Sequence, residues 1–588
     1  MAEGVEVSAF DVIEHDIVIV GSGIAGLRAA VEIKRRYGER LNVGVISKVQ
    51  LMRSHSVAAE GGTAAVLYRE EGDSFSLHAW DTVKGSDFLA DQDAVWLMVK
   101  LAPEEMRLLE HWGMPWSRRP DGRIAQRPFG GHSFNRTLYA ADKTGFYEMQ
   151  TLYNKLLEYD EWERYDEWFV TNIVVENGEF KGLYALNPRD GEVYLFRAKA
   201  AIIATGGAGR LYGFTTYSHS VTGDGLAMAF RAGLPLKDME FIQFHPTGLV
   251  PSGILISEAA RGEGGILVNS RGERFMSRYA PQKMELAPRD IVSRAMMTEI
   301  MEGRGFKDPV SGLEYVLLDL RHLGEDKINE KLPAIREIAL KHAGIDPVEE
   351  PIPVRPVAHY TMGGIHTDTY YRALDVEGRW VKGLFVAGEA AAASVHGANR
   401  LGSNSTTECL VSGRIAGMLA AEYALRVKEA KSPPRERSLA EEDWVYKLVR
   451  RESGTPSYQV RRELQETMDK AFYVFRDGDT MRDGMLKILK LRKMFREEGY
   501  VEDKSKVYNT DLILAIETLN MLDVALVVAK SAIARTESRG AHYRFDYTKR
   551  DDVNWLKHTL AVRYGEDDVS LSYEPVRITT WKPVERKY

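Results

Sequence analysis

"HDIVIVGSGIAGLRAAVEIKRRYGERLNVGVISK", residues 15–48, reads as a strand, a glycine turn, a helix and a second strand. Asp16 to Val20 form a near-continuous apolar run, the pattern of a parallel strand covered on both faces. Gly21, Gly23 and Gly26 follow with G-x-G-x-x-G spacing. The first turns the chain, the second lets a pyrophosphate approach the backbone, and the third lets the helix pack close to the strand. The helix N-terminus then offers its dipole and unpaired N–H groups to phosphates. With 51 glycines in 588 residues, chance alone gives this spacing in roughly one of every two or three such chains. The strand before it, the helix after it and the second strand make it specific. No acid ends that second strand to hold a ribose; Ser47 and Lys48 stand there, which disfavours a generic NAD site.

Two further segments extend the pattern. "AKAAIIATGGAGRLY" (198–212) is another apolar strand running into glycines, and "KGLFVAGEAAAASVHGANRLGSNSTTECLVSGRIAG" (382–417) is a strand, an acid at Glu389 and small residues opening a helix. Nucleotide-binding strands at both the start and the distant end fit an α/β, Rossmann-like, doubly wound FAD-binding domain interrupted by an α+β capping domain. The expected FAD-binding parts are residues 11–245 and 358–427, with the cap at 246–357. The linker "KEAKSPPRERSLAEED" opens a helical domain, 428–545, and residues 546–588 read as a small separate C-terminal domain.

The rest of the composition excludes more than it suggests. At 588 residues the chain is too long for one core. A net charge of −7 and a pI near 6.1 offer no basic face for nucleic acid. One cysteine, Cys409, excludes a disulfide framework and any iron–sulfur cluster or thiolate zinc site built from this chain alone. "MAEGVEVSAFDVIEHD" has neither the basic nor the apolar region of a signal peptide. The most apolar helical stretch, "DLILAIETLNMLDVALVVAK", is interrupted by Asp511, Glu517, Asp523 and Lys530, which predicts a buried helix and no membrane span.

Polar residues cluster in five segments. His245 lies in "EFIQFHPTGLV", Ser257, Glu258 and Arg261 in "ILISEAARGEGG", Arg289 in "ELAPRDIVSRA", His359 in "VAHYTMGGI", and His396 and Arg400 in "HGANRLGSNS". Singly, each has an ordinary structural use. Together, two histidines, two arginines and a hydroxyl suit a small dianion with two carboxylates, because the planar guanidinium fork matches a carboxylate. No clustered ligand spacing supports a metal site, and no G-x-S-x-G elbow supports a serine hydrolase.

At these residues the chain resembles the flavoprotein subunit of the fumarate reductase/succinate dehydrogenase family. The likeness runs from "IVIVGSGIAGLRAA" through "WSRRPDG", "AADKTGF", "ATGGAGR", "TGDG", "QFHPTG", "EPIPVRPVAHYTMGGI" and "HGANRLGSNS" to "RTESRGAH", "RDDVNWLKHTLA" and "ITTWKPVERKY". It implies that His55, in "RSHSVAAEGG" (53–62), bonds covalently to the 8α-methyl of FAD and raises the flavin's potential. It implies further FAD contacts at Gly21, Ser22, Gly23, Ile24, Ala25, Gly26, Ser47, Lys48, Ser54, Ser56, Glu60, Gly61, Gly62, Asp224, Glu389, Arg400, Ser405 and Thr406. His245 and Ser257 would hold one substrate carboxylate and His359 and Arg400 the other. Arg289 would be the proton donor to fumarate or the acceptor from succinate, fed through Arg261 and Glu258.

The resemblance also implies partners. Electrons would pass singly to an iron–sulfur subunit and through it to a quinone-reactive membrane anchor, keeping this chain cytoplasmic and peripheral on the inner face of the cell membrane. L-aspartate oxidase is the nearest rival and is similar around "HGANR" and "ECLV", but such oxidases bind FAD non-covalently and lack a histidine at position 55. A flavin-holding electron relay without its own catalysis leaves His245, Arg289, His359 and Arg400 unexplained. Glu60, where the dehydrogenase branch typically has glutamine, leans the reading toward fumarate reduction, with succinate oxidation as the alternative direction.

Overall fold

The structure, a computed structural model, describes residues 10–588. Val12–Val20 lies between Val43–Ser47 and Glu192–Ile203 and runs parallel to both. Trp162–Asp166 extends the sheet on one side and Trp380–Val386 on the other, again in parallel. The strand from residue 380 thus joins the strands from the first 203 residues, as an interrupted nucleotide fold requires. The helices Ile24–Tyr37 and Asn404–Arg426 pack on each other against this sheet. At its C-terminal edge the Gly21 N–H donates to Ile46 O at 2.8 Å, Ala204 N–H to Val20 O at 2.7 Å and Ala387 N–H to Ile203 O at 2.9 Å. Three strand ends therefore open together, where doubly wound sheets bind ligands.

The glycine turn has little room. Gly21 has φ of 108°, and a Cβ there would lie 2.1 Å from Ala204 O, while a Cβ on Gly26 would lie 2.0 Å from Gly21 O. Gly21→Ala is expected to cost about 1–3 kcal/mol in backbone strain alone. Thermal unfolding should register it as a lowered midpoint; an unchanged midpoint would contradict the close approach.

Two antiparallel strands, Ile242–Leu249 and Ile352–Thr361, form the stem of the insertion. Glu314–Asp319 and Ile266–Val268 extend the sheet, and the helix Arg289–Glu299 packs on the stem. The expected cap limits at 246 and 357 thus fall inside strands that pass unbroken from one layer into the next. His245 stands opposite Val357 across the stem, which brings His359 within two residues of that pairing.

The helices Arg435–Arg450, Ser457–Ala471, Gly478–Glu498 and Thr510–Ala534 follow. Thr510–Ala534 is long and apolar enough to cross a membrane, yet 83% of its apolar window is buried inside the protein. Its charges are all met: Asp511 accepts from Glu502 N–H, Glu517 pairs with Lys48, Asp523 with Arg492 and Lys530 with Asp568.

The tail, expected as a small C-terminal domain, pairs with strands of the earlier chain. Lys557–Tyr564 and Asp568–Pro575 form a hairpin whose first strand pairs with Leu236–Lys237, in one sheet with Gly364–His366 and Ala391–Ala392. His558 is buried between Asp238 at 2.6 Å and Asp91 at 3.0 Å. Beyond the hairpin, Trp581 stacks on Trp96, and Arg586 reaches Asp290 at 2.6 Å and Asp87 at 3.1 Å. The alternating strand pattern of the hairpin is local, whereas its partner strand lies more than 300 residues earlier.

Candidate active site

One cavity of about 500 Å³ opens at the C-terminal edge of the parallel sheet. Every cofactor residue expected from the sequence lines it except Gly26, which lies beneath the turn against Gly21. His245, Ser257, Glu258, Arg289, His359 and Arg400 line it as well; Arg261 sits behind Glu258 and does not reach it. The N-termini of the helices Ile24–Tyr37 and Asn404–Arg426 both border it, so two positive dipole ends face an anionic dinucleotide, although the first N–H of each is already taken, Ile24 by Ser56 and Asn404 by Leu401 O. Glycine backbone, serine hydroxyls and helix termini fit FAD.

Lys48 does less than its position promised. Its ammonium has three donors, and Asp224 at 2.6 Å, Glu517 at 2.7 Å and Thr222 at 2.9 Å use them. Asp224 also accepts from Thr222 and Asn520. These two side chains therefore brace each other and the helix Thr510–Ala534 at the cavity wall. Glu389 accepts a hydrogen bond from Tyr217 and one from Thr361 N–H at 2.9 Å, and burial pushes its carboxyl up to about 7.

His55 lies on the same wall. Its ring stacks on Tyr217 with centroids 4.9 Å apart, and its Nδ1 accepts from Ser218 N–H at 3.4 Å. Nε2 is left as the substitutable nitrogen. Burial, with the Arg210 charge second, holds the imidazole down at about 4, so it is neutral at physiological pH.

At the stem the polar constellation assembles. The His245 and His359 rings meet edge to face at 4.9 Å. Thr247 N–H donates to His245 Nδ1 at 3.1 Å, which fixes the neutral tautomer with its proton on Nε2; that nitrogen is buried and has no protein partner. His359 Nδ1 lies 2.8 Å from Thr216 Oγ1. Burial pushes both imidazoles well below their ordinary range, and Arg289 adds to it. Arg400 stacks its guanidinium on Tyr360 at 4.4 Å, and its Nε is a second buried donor without a partner. His396, grouped with these by sequence, turns instead to Glu408 at 2.6 Å.

Arg289 donates from Nε to Glu258 Oε2 at 2.6 Å and from Nη1 to Gln243 Oε1 at 3.2 Å. Arg261 Nη2 lies 3.5 Å from the same Glu258 oxygen, so the carboxylate bridges two guanidinium groups. Burial works against the ionised form of Glu258, but Arg289 and Arg261 outweigh it and hold the carboxyl at about 2. Burial raises the carboxyl of Glu60, also on the wall, well above the usual range; Asp142 adds to this and the Arg127 charge opposes it. Around His245, three guanidinium groups (Arg261, Arg289, Arg400) thus face one ionised carboxylate, Glu258, an excess of two positive charges. Buried charge without a counterion is costly, and a ligand carrying two negative charges offsets it.

Sequence reading missed Thr216, Tyr217, Gln243 and Thr247, which orient His359, His55, Arg289 and His245. Gln243 and Thr247 stand inside the quoted "EFIQFHPTGLV", so that motif carried their signal; nothing local marks the other two.

Comparison with known proteins agrees with this geometry. Residues 16–406 match the FAD binding domain family and residues 461–588 the fumarate reductase flavoprotein C-terminal family. The fumarate reductase flavoprotein subunit of Mycobacterium tuberculosis is 46% identical, covering 98% of this chain and 99% of that one. The succinate dehydrogenase flavoprotein subunit of Rickettsia bellii is 45% identical over 97% of each. A solved chain of Escherichia coli quinol fumarate reductase superposes with a TM-score of 0.93 at 45% identity, covering 98% of this chain and 99% of that chain. Matched along nearly its whole length to both branches, and carrying the cavity and cationic cluster just described, the chain belongs to the fumarate reductase/succinate dehydrogenase flavoprotein subunits.

Proposed function

We propose that this chain is the catalytic subunit that interconverts fumarate and succinate, with FAD held covalently by His55. The excess of two positive charges beside the cofactor cavity supports this reading most directly. The bound flavin supplies hydride to fumarate or accepts it from succinate. The protein positions the diacid and manages the second hydrogen as a proton.

His245 Nε2–H and the Ser257 hydroxyl hold one carboxylate; His359 and Arg400 hold the other. Fixed donors around the diacid also stabilise negative charge that develops as the double bond is attacked. Arg289 donates the proton, its terminal Nη2 being engaged by neither Glu258 nor Gln243. Loss of that proton removes the main charge that depresses Glu258. The carboxylate then gains proton affinity and draws a replacement from the Arg261 side. The stem strands carry both histidines, so closure of the cap over the cavity would exclude water while completing the clamp.

One cysteine cannot hold an iron–sulfur cluster, so electrons reach the flavin from a partner subunit carrying such clusters, and through it from a quinol in a membrane anchor. The chain would sit on the inner face of the cell membrane through those partners. Glu60, on the cavity wall at the position where the dehydrogenase branch typically has glutamine, leans the reading toward fumarate reduction in the cell.

Acid precipitation of the native holoprotein tests the attachment, and mixing dithionite-reduced holoprotein with fumarate tests the activity. Yellow colour that stays with the pellet and a fumarate-dependent return of flavin absorbance are the expected results. Flavin released to the supernatant would favour an L-aspartate oxidase type of site, and reduced flavin indifferent to fumarate would overturn the substrate.

A further inference from the structure

Behind the wall formed by Gly61, Gly62 and Thr406 lies a carboxyl group that the reaction just described does not use. Glu148, in the helix Thr144–Leu156, is fully buried. Its Oε1 is 2.5 Å from Thr63 Oγ1, and Thr63 Oγ1 is 2.8 Å from Thr406 Oγ1, which belongs to the cavity wall. Glu148 Oε2 has no hydrogen-bond partner. The helix packs on Ile24–Tyr37, on the turn His55–Ala58 and on Gln92–His111. On those elements, Arg28 pairs with Glu32 and Glu105, His55 is turned to Ser218 and Tyr217, and Arg107 is exposed. Cys409, on Asn404–Arg426, is the titratable neighbour that senses the carboxyl, and its thiol is itself held protonated, first by burial and then by Glu408, Glu389 and Glu148. Burial pushes Glu148 up to about 8, so it is neutral at pH 7 yet within reach of ionisation.

We propose that Glu148 is a redox-linked proton-binding group of the cofactor cavity, connected to it through the Thr63 and Thr406 hydroxyls. The inference rests on the reading that the cavity holds flavin. Two electrons from the quinol, entering through the iron–sulfur partner with one proton, leave the reduced ring with one net negative charge. That charge raises the proton affinity of a nearby carboxylate. Where Glu148 is ionised in the oxidised protein, reduction therefore takes up two protons per two electrons, the second on Glu148. Reoxidation sends hydride to fumarate, and Glu148 returns its proton to solvent. The hydroxyl chain works in both states: Thr63 donates to the carboxylate when Glu148 is ionised, and the neutral carboxyl donates to Thr63, whose hydroxyl then turns to Thr406.

The test is the flavin reduction potential of the purified holoprotein, followed by spectroelectrochemistry from neutral to alkaline pH in wild type and Glu148→Gln. Wild type should show a potential whose pH slope doubles over a window opening near the Glu148 value of about 8. In Glu148→Gln the slope should stay single throughout, with the neutral-pH potential unchanged because glutamine imitates the neutral acid. Reduced-minus-oxidised infrared spectra of wild type at alkaline pH should gain a protonated-carboxyl band, a readout that needs no variant. Thr63→Val should keep the equilibrium window and slow the response of the flavin spectrum to a pH jump. A single slope in wild type, or a doubled slope surviving in Glu148→Gln, overturns the proposal. Protein that carries no flavin overturns the underlying cofactor reading instead.

Discussion

Arg289→Gln is expected to lower turnover in both directions by roughly 1,000-fold or more, because it removes both the acid and a fixed charge at the developing anion. Glutamine keeps a polar side chain beside Gln243 but cannot span to Glu258 as the guanidinium does at 2.6 Å. Binding should suffer much less, since the proposed clamp of His245, Ser257, His359 and Arg400 is untouched. The measurement is a pair: steady-state fumarate reduction with a reduced dye, and a titration of flavin absorbance with fumarate or a non-reacting diacid. A collapsed kcat with a dissociation constant changed by less than about tenfold, roughly 1.4 kcal/mol, is the signature of a proton donor. Near-normal kcat would remove Arg289 from its role. Equal losses in binding and turnover would make it a third carboxylate ligand instead.

His55→Ser should convert all of the acid-stable flavin into acid-extractable flavin while the native protein stays yellow. The turn at Gly21, the two helix N-termini and the rest of the wall remain to hold FAD without the bond. A carbon–nitrogen bond to imidazole withdraws electron density from the ring system, so its loss should lower the flavin potential. For a two-electron couple, each ~30 mV of that fall shifts the equilibrium with substrate about tenfold toward reduction of fumarate. Succinate oxidation should therefore drop far more than fumarate reduction. If acid-stable flavin persists in His55→Ser, another residue makes the attachment; if both directions fall equally, the bond does not tune the potential.

The FAD-binding layer was legible because its signals are local. Strand, turn and helix follow one another within residues 15–48, and the structure stacks those same residues into the parallel sheet. The stem histidines were legible as residue types, and the fold brought them to 4.9 Å from each other, a distance no spacing in the sequence encodes. Lys48 shows the opposite case. It stood where a cofactor contact was expected, but its strongest partners include Glu517, 469 positions away, and only the packed helix reveals that the ammonium is already satisfied. The tail is similar: its strands are plain in the alternation of "KHTLAVRY", while the edge they complete at Leu236–Lys237, with His558 buried between two aspartates beside it, has no local mark. Glu148 carried no local mark at all, since an acid in an amphipathic helix usually faces water, and its burial follows from the close approach of that helix to the His55 turn.

The anchoring of Arg586 on Asp290, the residue next to Arg289, has a consequence for biosynthesis. Until residue 586 has been made and has left the ribosome, the helix that begins at Arg289 lacks that brace. The cavity wall at Arg289 is therefore fully braced only once a residue almost 300 positions further along the chain has been added. Chains interrupted before residue 586 would lack that brace even though every residue lining the cavity had already been synthesised.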